Sequence, residues 1–274
     1  MNFREATEIL QGNDQLPFEE VKSIIDNIQD KIIAPIIDLD NSYFIMRGVD
    51  YFNDPNEIQN ADNLSYPPAH KVTTFGRVNL PGIPVFYGII PTQETPINIG
   101  ACLTECSARL RSPMPEGIYQ ACISRWSVKN GETLSLFSII NPERGRQRTP
   151  FLEGLNLDYE VFVAENEGEI SRDDNFLLHN FLYEQFNKEG TERDYWISAL
   201  ISDNLMKAGL DGILYESVQG RNIGFDNTIC IALSKDAVDN KLGFIDYTFV
   251  RSNYYFANGE GLQLSIGRGA TFNE

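Results

Sequence analysis

Phe75-Gly76-Arg77-Val78-Asn79-Leu80-Pro81-Gly82-Ile83-Pro84-Val85-Phe86-Tyr87 places an arginine between a glycine and an Asn-Leu-Pro-Gly turn, which feeds an apolar strand ending in tyrosine. A guanidinium held at a tight turn is a rigid fork of donors, suited to phosphate or carboxylate. The tyrosine one strand further on offers an aromatic face and a phenol to the same pocket. Most Gly-Arg turns are merely solvated, so the stretch gains its weight from what surrounds it. Three more segments stand in order along the chain: Met46-Arg47-Gly48, Cys102-Leu103-Thr104-Glu105, and Gly209-Leu210-Asp211-Gly212-Ile213-Leu214-Tyr215-Glu216-Ser217.

This ordered set resembles the RES domain family, named for its arginine, glutamate and serine, over roughly residues 41 to 235. The anchors are the block from Gly76 to Tyr87 and the block from Gly209 to Ser217, with Asn227 ahead of the apolar run Ile229-Cys230-Ile231-Ala232-Leu233. The resemblance implies a compact α+β toxin of a RES–Xre toxin–antitoxin pair, with a mixed sheet related to that of ADP-ribosyltransferases. It implies breakdown of NAD as substrate, with nicotinamide leaving, no cofactor, and inorganic phosphate as a conceivable co-substrate. An Xre-like antitoxin would be the protein partner.

By motif match, Glu105, Arg47 and Arg77 are the catalytic candidates, and Tyr87, Ser217 and Asn227 the substrate-binding ones. Glu105 would support positive charge on the ribose. Arg47 and Arg77 would hold phosphates, and Tyr87 would stack on the nicotinamide or position the ribose. Pro91 to Asn98 is longer than the family pattern, which makes Glu94 a rival carboxylate and Glu216 a third. Ser217 reads as a hydrogen-bonding residue, because a serine nucleophile needs an activating base and no histidine stands at a plausible position. Family members differ in the acceptor of the ribosyl group: phosphate, water or a protein side chain. Protein ADP-ribosylation and an inactive RES-fold binding protein are therefore the alternative readings.

The bulk properties bound these expectations. A chain of 274 residues has room for a sizeable core. Its net charge of -17 argues against nucleic acid and anionic membranes, since both need clustered Lys and Arg. A pyrophosphate would be met by local arginines working against the global field. The loop holding Arg144, Arg146 and Arg148 could gather phosphate, but a solvated loop is the simpler reading. Cys102, Cys106, Cys122 and Cys230 show no CxxC spacing. Cys102 and Cys106, four apart, could supply half a metal site, but His70 and His179 are far away in sequence. The four therefore read as buried thiols, and no metal is expected. Without an apolar leader or a span-length apolar run, a cytoplasmic location is expected.

Along the chain, residues 17 to 37 read as an amphipathic helix closed by Pro35, within an N-terminal extension of residues 1 to 40. That helix packs on the domain or docks a partner or second subunit. Strands are expected at 42–47, 82–90, 157–164, 213–215 and 229–233. A hairpin is expected from Ile118–Val128 and Thr133–Ile140 across Lys129-Asn130-Gly131-Glu132, because Asn-Gly is the strongest short hairpin signal. Helices are expected at 176–186 and 195–206, with Gly209 as a C-cap. Residues 50–71 read as a long loop, and 236–274 as a tail packed on the domain. Strands and helices without regular βαβ alternation indicate an α+β fold.

Overall fold

Two short apolar runs make the centre of the molecule. Val85–Ile90 and Ile229–Ser234 pair antiparallel from Val85↔Ser234 to Ile90↔Ile229. Both are apolar at nearly every position because both faces of this part of the sheet are covered, as in a buried strand.

The structure is a computed structural model. It describes residues 1–13, 15–50, 61–92, 95–106, 116–139, 149–168, 171–219, 228–257, 261–267 and 271–273, with backbone alone at 95–97, 116–119 and 252–273. The helices are α1 (Phe3–Gly12), α2 (Phe18–Ile28), α3 (Thr95–Cys106), α4 (Pro150–Asn166), α5 (Arg172–Asn187), α6 (Trp196–Lys207) and α7 (Lys235–Lys241). The strands are β1 (Ile36–Leu39), β2 (Phe44–Asp50), β3 (Val85–Ile90), β4 (Glu116–Val128) and β5 (Leu134–Ile139). They continue with β6 (Gly212–Glu216), β7 (Ile229–Ser234), β8 (Leu242–Ala257), β9 (Gly261–Gly267) and β10 (Thr271–Asn273). Together they form one mixed sheet in the order β1-β5-β6-β7-β3-β2-β4-β8-β10, with β9 also on β8. The fold is mixed α+β, as its irregular succession of strands and helices suggested.

One face of the sheet is packed by α1, α2, α3, α5 and α6. There Ile25, Ile28, Leu103, Phe181, Phe186 and Leu200 meet Val85, Ile89, Ile139 and Ile213. The other face is packed by α4 and α7 over Phe86, Ile90, Leu214 and Ile231. The first forty residues contribute Ala6, Ile25 and Ile28 to the first core, and β1 to the edge of the sheet on β5. Helix α1, which the sequence reading did not foresee, begins at a capping box made by Asn2 and Glu5.

Several expected elements differ. The predicted helix over 17–37 ends at Ile28 and passes through a 3-10 turn at Gln29–Lys31, and beyond Pro35 the chain joins the sheet as β1. The predicted strand over 157–164 lies inside α4. Thr149 caps that helix and Pro150 occupies its first turn, while burial falls on Leu152, Leu155, Tyr159 and Val163 at helical spacing. The predicted hairpin is absent, although its turn forms, with the Glu132 N–H bonded to Lys129 O at 3.0 Å. β4 pairs with β2 and β8, whereas β5 pairs with β1 and, in parallel, with β6. In the tail, β8 pairs with the whole length of β4.

Among the described residues, no helix is long and apolar enough to cross a membrane.

Candidate functional site

The sheet is least tightly zipped between β2 and β3, which pair only at Met46↔Ile89. A cavity of about 450 Å³ opens there, within the range of small-molecule sites. Its lining comes from Arg47 and Asp50 on β2, Arg77 and Asn79 on the loop before β3, Tyr87 on β3, Cys102, Glu105 and Cys106 on α3, Tyr215 on β6, Cys230 on β7, and Tyr195 in the 3-10 turn ahead of α6. Arg47, Arg77, Tyr87 and Glu105, expected from three separate segments, thus share one cavity.

Arg47 is carried deep into the fold by β2. Its Nε donates to Leu64 O at 3.1 Å and its Nη1 to Tyr87 O at 2.6 Å, and its guanidinium lies 5.2 Å from the centre of the Phe86 ring. Burial lowers its pKa from the ordinary value. Arg77 donates Nη1 to Phe186 O in the last turn of α5, where the helix dipole favours a cation. Its guanidinium stands 5.6 Å from the Tyr195 ring centre and 5.8 Å from that of Tyr215. Among the described residues, neither guanidinium is within ion-pair distance of a carboxylate. In a chain with 39 acidic residues against 22 basic ones, that is an unusual arrangement for two neighbouring cations.

Glu105 sits in the last turn of α3, and its Oε1 accepts a hydrogen bond from the Ser217 hydroxyl. Ser217 is buried just past β6, with its N–H on Thr228 O at 2.9 Å. It does not line the cavity but reaches it through Glu105. The approach of α3 to β2 depends on Gly48: a Cβ there would stand 2.7 Å from Cys106 Sγ and 3.2 Å from Cys102 O.

The Tyr87 phenol is not a free group in the cavity. Its hydroxyl donates to Asn79 Oδ1 at 2.8 Å and accepts from the Val78 N–H at 3.0 Å. Burial pushes its pKa up, so it stays protonated and keeps that donor role. Burial likewise raises the thiol of Cys102 to about 12 and those of Cys106 and Cys230 well above the ordinary value. The sulfurs in the wall are therefore neutral packing groups and not nucleophiles.

Glu216, the third carboxylate weighed, does not line the cavity and accepts from the Tyr183 hydroxyl at 3.4 Å. Asn227, Glu94 and the loop of Arg144, Arg146 and Arg148 lie outside the described residues. Asp211, inside the second anchor block, is structural: its carboxylate accepts from the Ser135 N–H at 2.8 Å and pairs with Lys241 at 2.7 Å. Sequence reasoning missed Asn79, Tyr195 and Tyr215 as site residues, although Asn79 and Tyr215 stand inside the two anchor blocks. Among the described residues, no group of three or more His, Cys, Asp or Glu is placed to hold a metal. No family model, curated protein or solved structure matches this chain.

Proposed function

We propose that this protein is a RES-type enzyme, related in fold to ADP-ribosyltransferases, that cleaves the nicotinamide–ribose bond of NAD as the toxin of a toxin–antitoxin pair. One observation carries the reading: Arg47 and Arg77 line a single cavity without carboxylate partners among the described residues, and Glu105 lines the same cavity. Unpaired cations held out of bulk water are costly, and a bound anion offsets that cost. Pyrophosphate or phosphate oxygens match the guanidinium fork. The tyrosine walls suit a flat ring.

The chemistry follows from the charges. The C1–N bond breaks with its electron pair going to the pyridinium nitrogen, so nicotinamide leaves neutral and needs no proton. Positive charge develops on the ribose, where Glu105, oriented by Ser217, stabilises it by a preorganised field. An acceptor oxygen then bonds to C1: an anionic phosphate oxygen has no proton to lose, whereas water releases one to solvent. Phosphate as acceptor yields a phosphorylated ADP-ribose, and water yields ADP-ribose.

The test is to incubate the purified chain with NAD, with and without inorganic phosphate, and to follow nicotinamide and the ribosyl product by chromatography. Nicotinamide release that is lost in Arg77→Ala supports the reading. Intact NAD at every phosphate concentration rules it out.

A further inference from the structure

We propose that Asn79 is a positioning residue that, together with Tyr87, sets the Arg77 guanidinium for anion binding; the proposal builds on the functional reading above. Arg77 sits on a loop, and a loop arginine acts as a preorganised fork only if its backbone is fixed on both sides. Asn79 is buried, and both the nitrogen and the oxygen of its amide are engaged. Its Nδ2 donates to Thr74 O at 3.2 Å and Leu80 O at 3.3 Å, while its Oδ1 accepts from the Tyr87 hydroxyl. Its backbone carbonyl accepts from the Gly76 N–H at 3.0 Å.

The residues on either side of Arg77 are therefore both tied, Gly76 to Asn79 and Val78 to Tyr87. Position 76 tolerates no side chain, because a Cβ there would lie 2.3 Å from Asn79 Oδ1 and 3.1 Å from the Tyr87 hydroxyl oxygen. The amide, the phenol and the missing Cβ form one interlocked clamp. The side-chain donors of both residues are engaged within the clamp, so neither donates to a bound anion and both act through Arg77. Aspartate has the shape of asparagine but cannot donate to Thr74 O and Leu80 O, and it would also place a negative charge beside the arginine.

The experiment uses the full chain as wild type, Asn79→Ala, Asn79→Asp and Tyr87→Phe, each also in an Arg77→Ala background. Three quantities are read: amide hydrogen exchange over residues 74–80, affinity for inorganic pyrophosphate by calorimetry, and kcat and KM for NAD. Asn79→Ala is expected to speed exchange at Gly76 and Val78 and to weaken pyrophosphate binding about tenfold, with a rise in KM. Tyr87→Phe is expected to give a smaller loss. In the Arg77→Ala background neither change should weaken binding further, which a merely structural role would not produce. Unchanged affinity despite faster exchange, or an equal loss in the Arg77→Ala background, overturns the proposal. If Asn79→Ala does not fold, Asn79→Asp and Tyr87→Phe carry the same comparison. A wild-type chain that binds pyrophosphate but leaves NAD intact defeats the NAD reading while the Asn79 comparison still decides. One that binds no pyrophosphate defeats the clamp.

Discussion

Arg47 and Arg77 hold positive charge in the fold by different means. Arg47 is met by two backbone carbonyls and the Phe86 ring, and Arg77 by the end of α5 and two tyrosine rings. Such contacts place a guanidinium without neutralising it. Methionine at position 47 cannot donate to Leu64 O and Tyr87 O, so Arg47→Met is expected to unfold at a lower urea concentration, with a loss of about 1–3 kcal/mol. Pyrophosphate should raise the wild-type midpoint, by about 2.7 kcal/mol at a hundredfold excess over Kd, and leave that of Arg47→Met unmoved.

His179 gives a second prediction at this scale. It is buried on α5 against Tyr159, ring centres 4.4 Å apart, and burial lowers its pKa to about 4. Between the unfolded value near 6.5 and that folded value, the unfolded chain binds the extra proton, so stability falls as the pH drops through this window. The loss attributable to His179 is up to about 3 kcal/mol and is complete below pH 4. Urea melts of wild type and His179→Phe at pH 7.5 and 5 check it: the variant should lose less stability on acidification.

At the scale of elements, the strands that carry the site were legible because their apolar runs are short and bounded by turn residues. Val85–Ile90 and Ile229–Ser234 read correctly for that reason. The missing hairpin shows the limit of turn chemistry. Asn130-Gly131 reverses the chain, but partner choice belongs to the sheet, and both flanking strands pair elsewhere. Helix α4 misled the eye because Leu157 and Val161, which suggested a strand, are exposed, while its buried residues follow a helical period. The site was legible where glycine and arginine sit together. Tyr195 was not, since nothing local marks a tyrosine before a helix as a wall of a distant cavity. The close approach of α3 and β2 is testable: Gly48→Ala must push Cys106 and with it the turn that carries Glu105. Overpacking of this kind costs about 1–3 kcal/mol. Urea denaturation should show that loss, accompanied by a lower kcat.

For the whole molecule, the N-terminal segment and the site are mechanically linked. Phe18 of α2 packs edge-on against Phe75 and Trp196, with ring centres 5.3 Å and 5.2 Å apart, and Phe75 begins the loop that presents Arg77. The net charge has a kinetic consequence. A chain at -17 repels an anionic dinucleotide until it reaches the local field of the arginines. Added salt screens the long-range repulsion more than the short contacts inside the cavity. Stopped-flow association of NAD should therefore accelerate about twofold or more as sodium chloride rises from about 20 to 200 mM. An association rate that falls over this range would mean that attraction by the arginines governs approach.

The role of Glu105 is the most exposed point of the account, and single-turnover cleavage of NAD by wild type and Glu105→Gln, with NAD affinity measured on the same preparations, tests it most directly. Glutamine keeps the shape and still accepts from Ser217, but it removes the charge that, on the proposed mechanism, faces the developing cation. The account predicts that nicotinamide release slows by about a hundredfold or more while NAD affinity changes by less than about threefold. Equal release rates in the two proteins would contradict it.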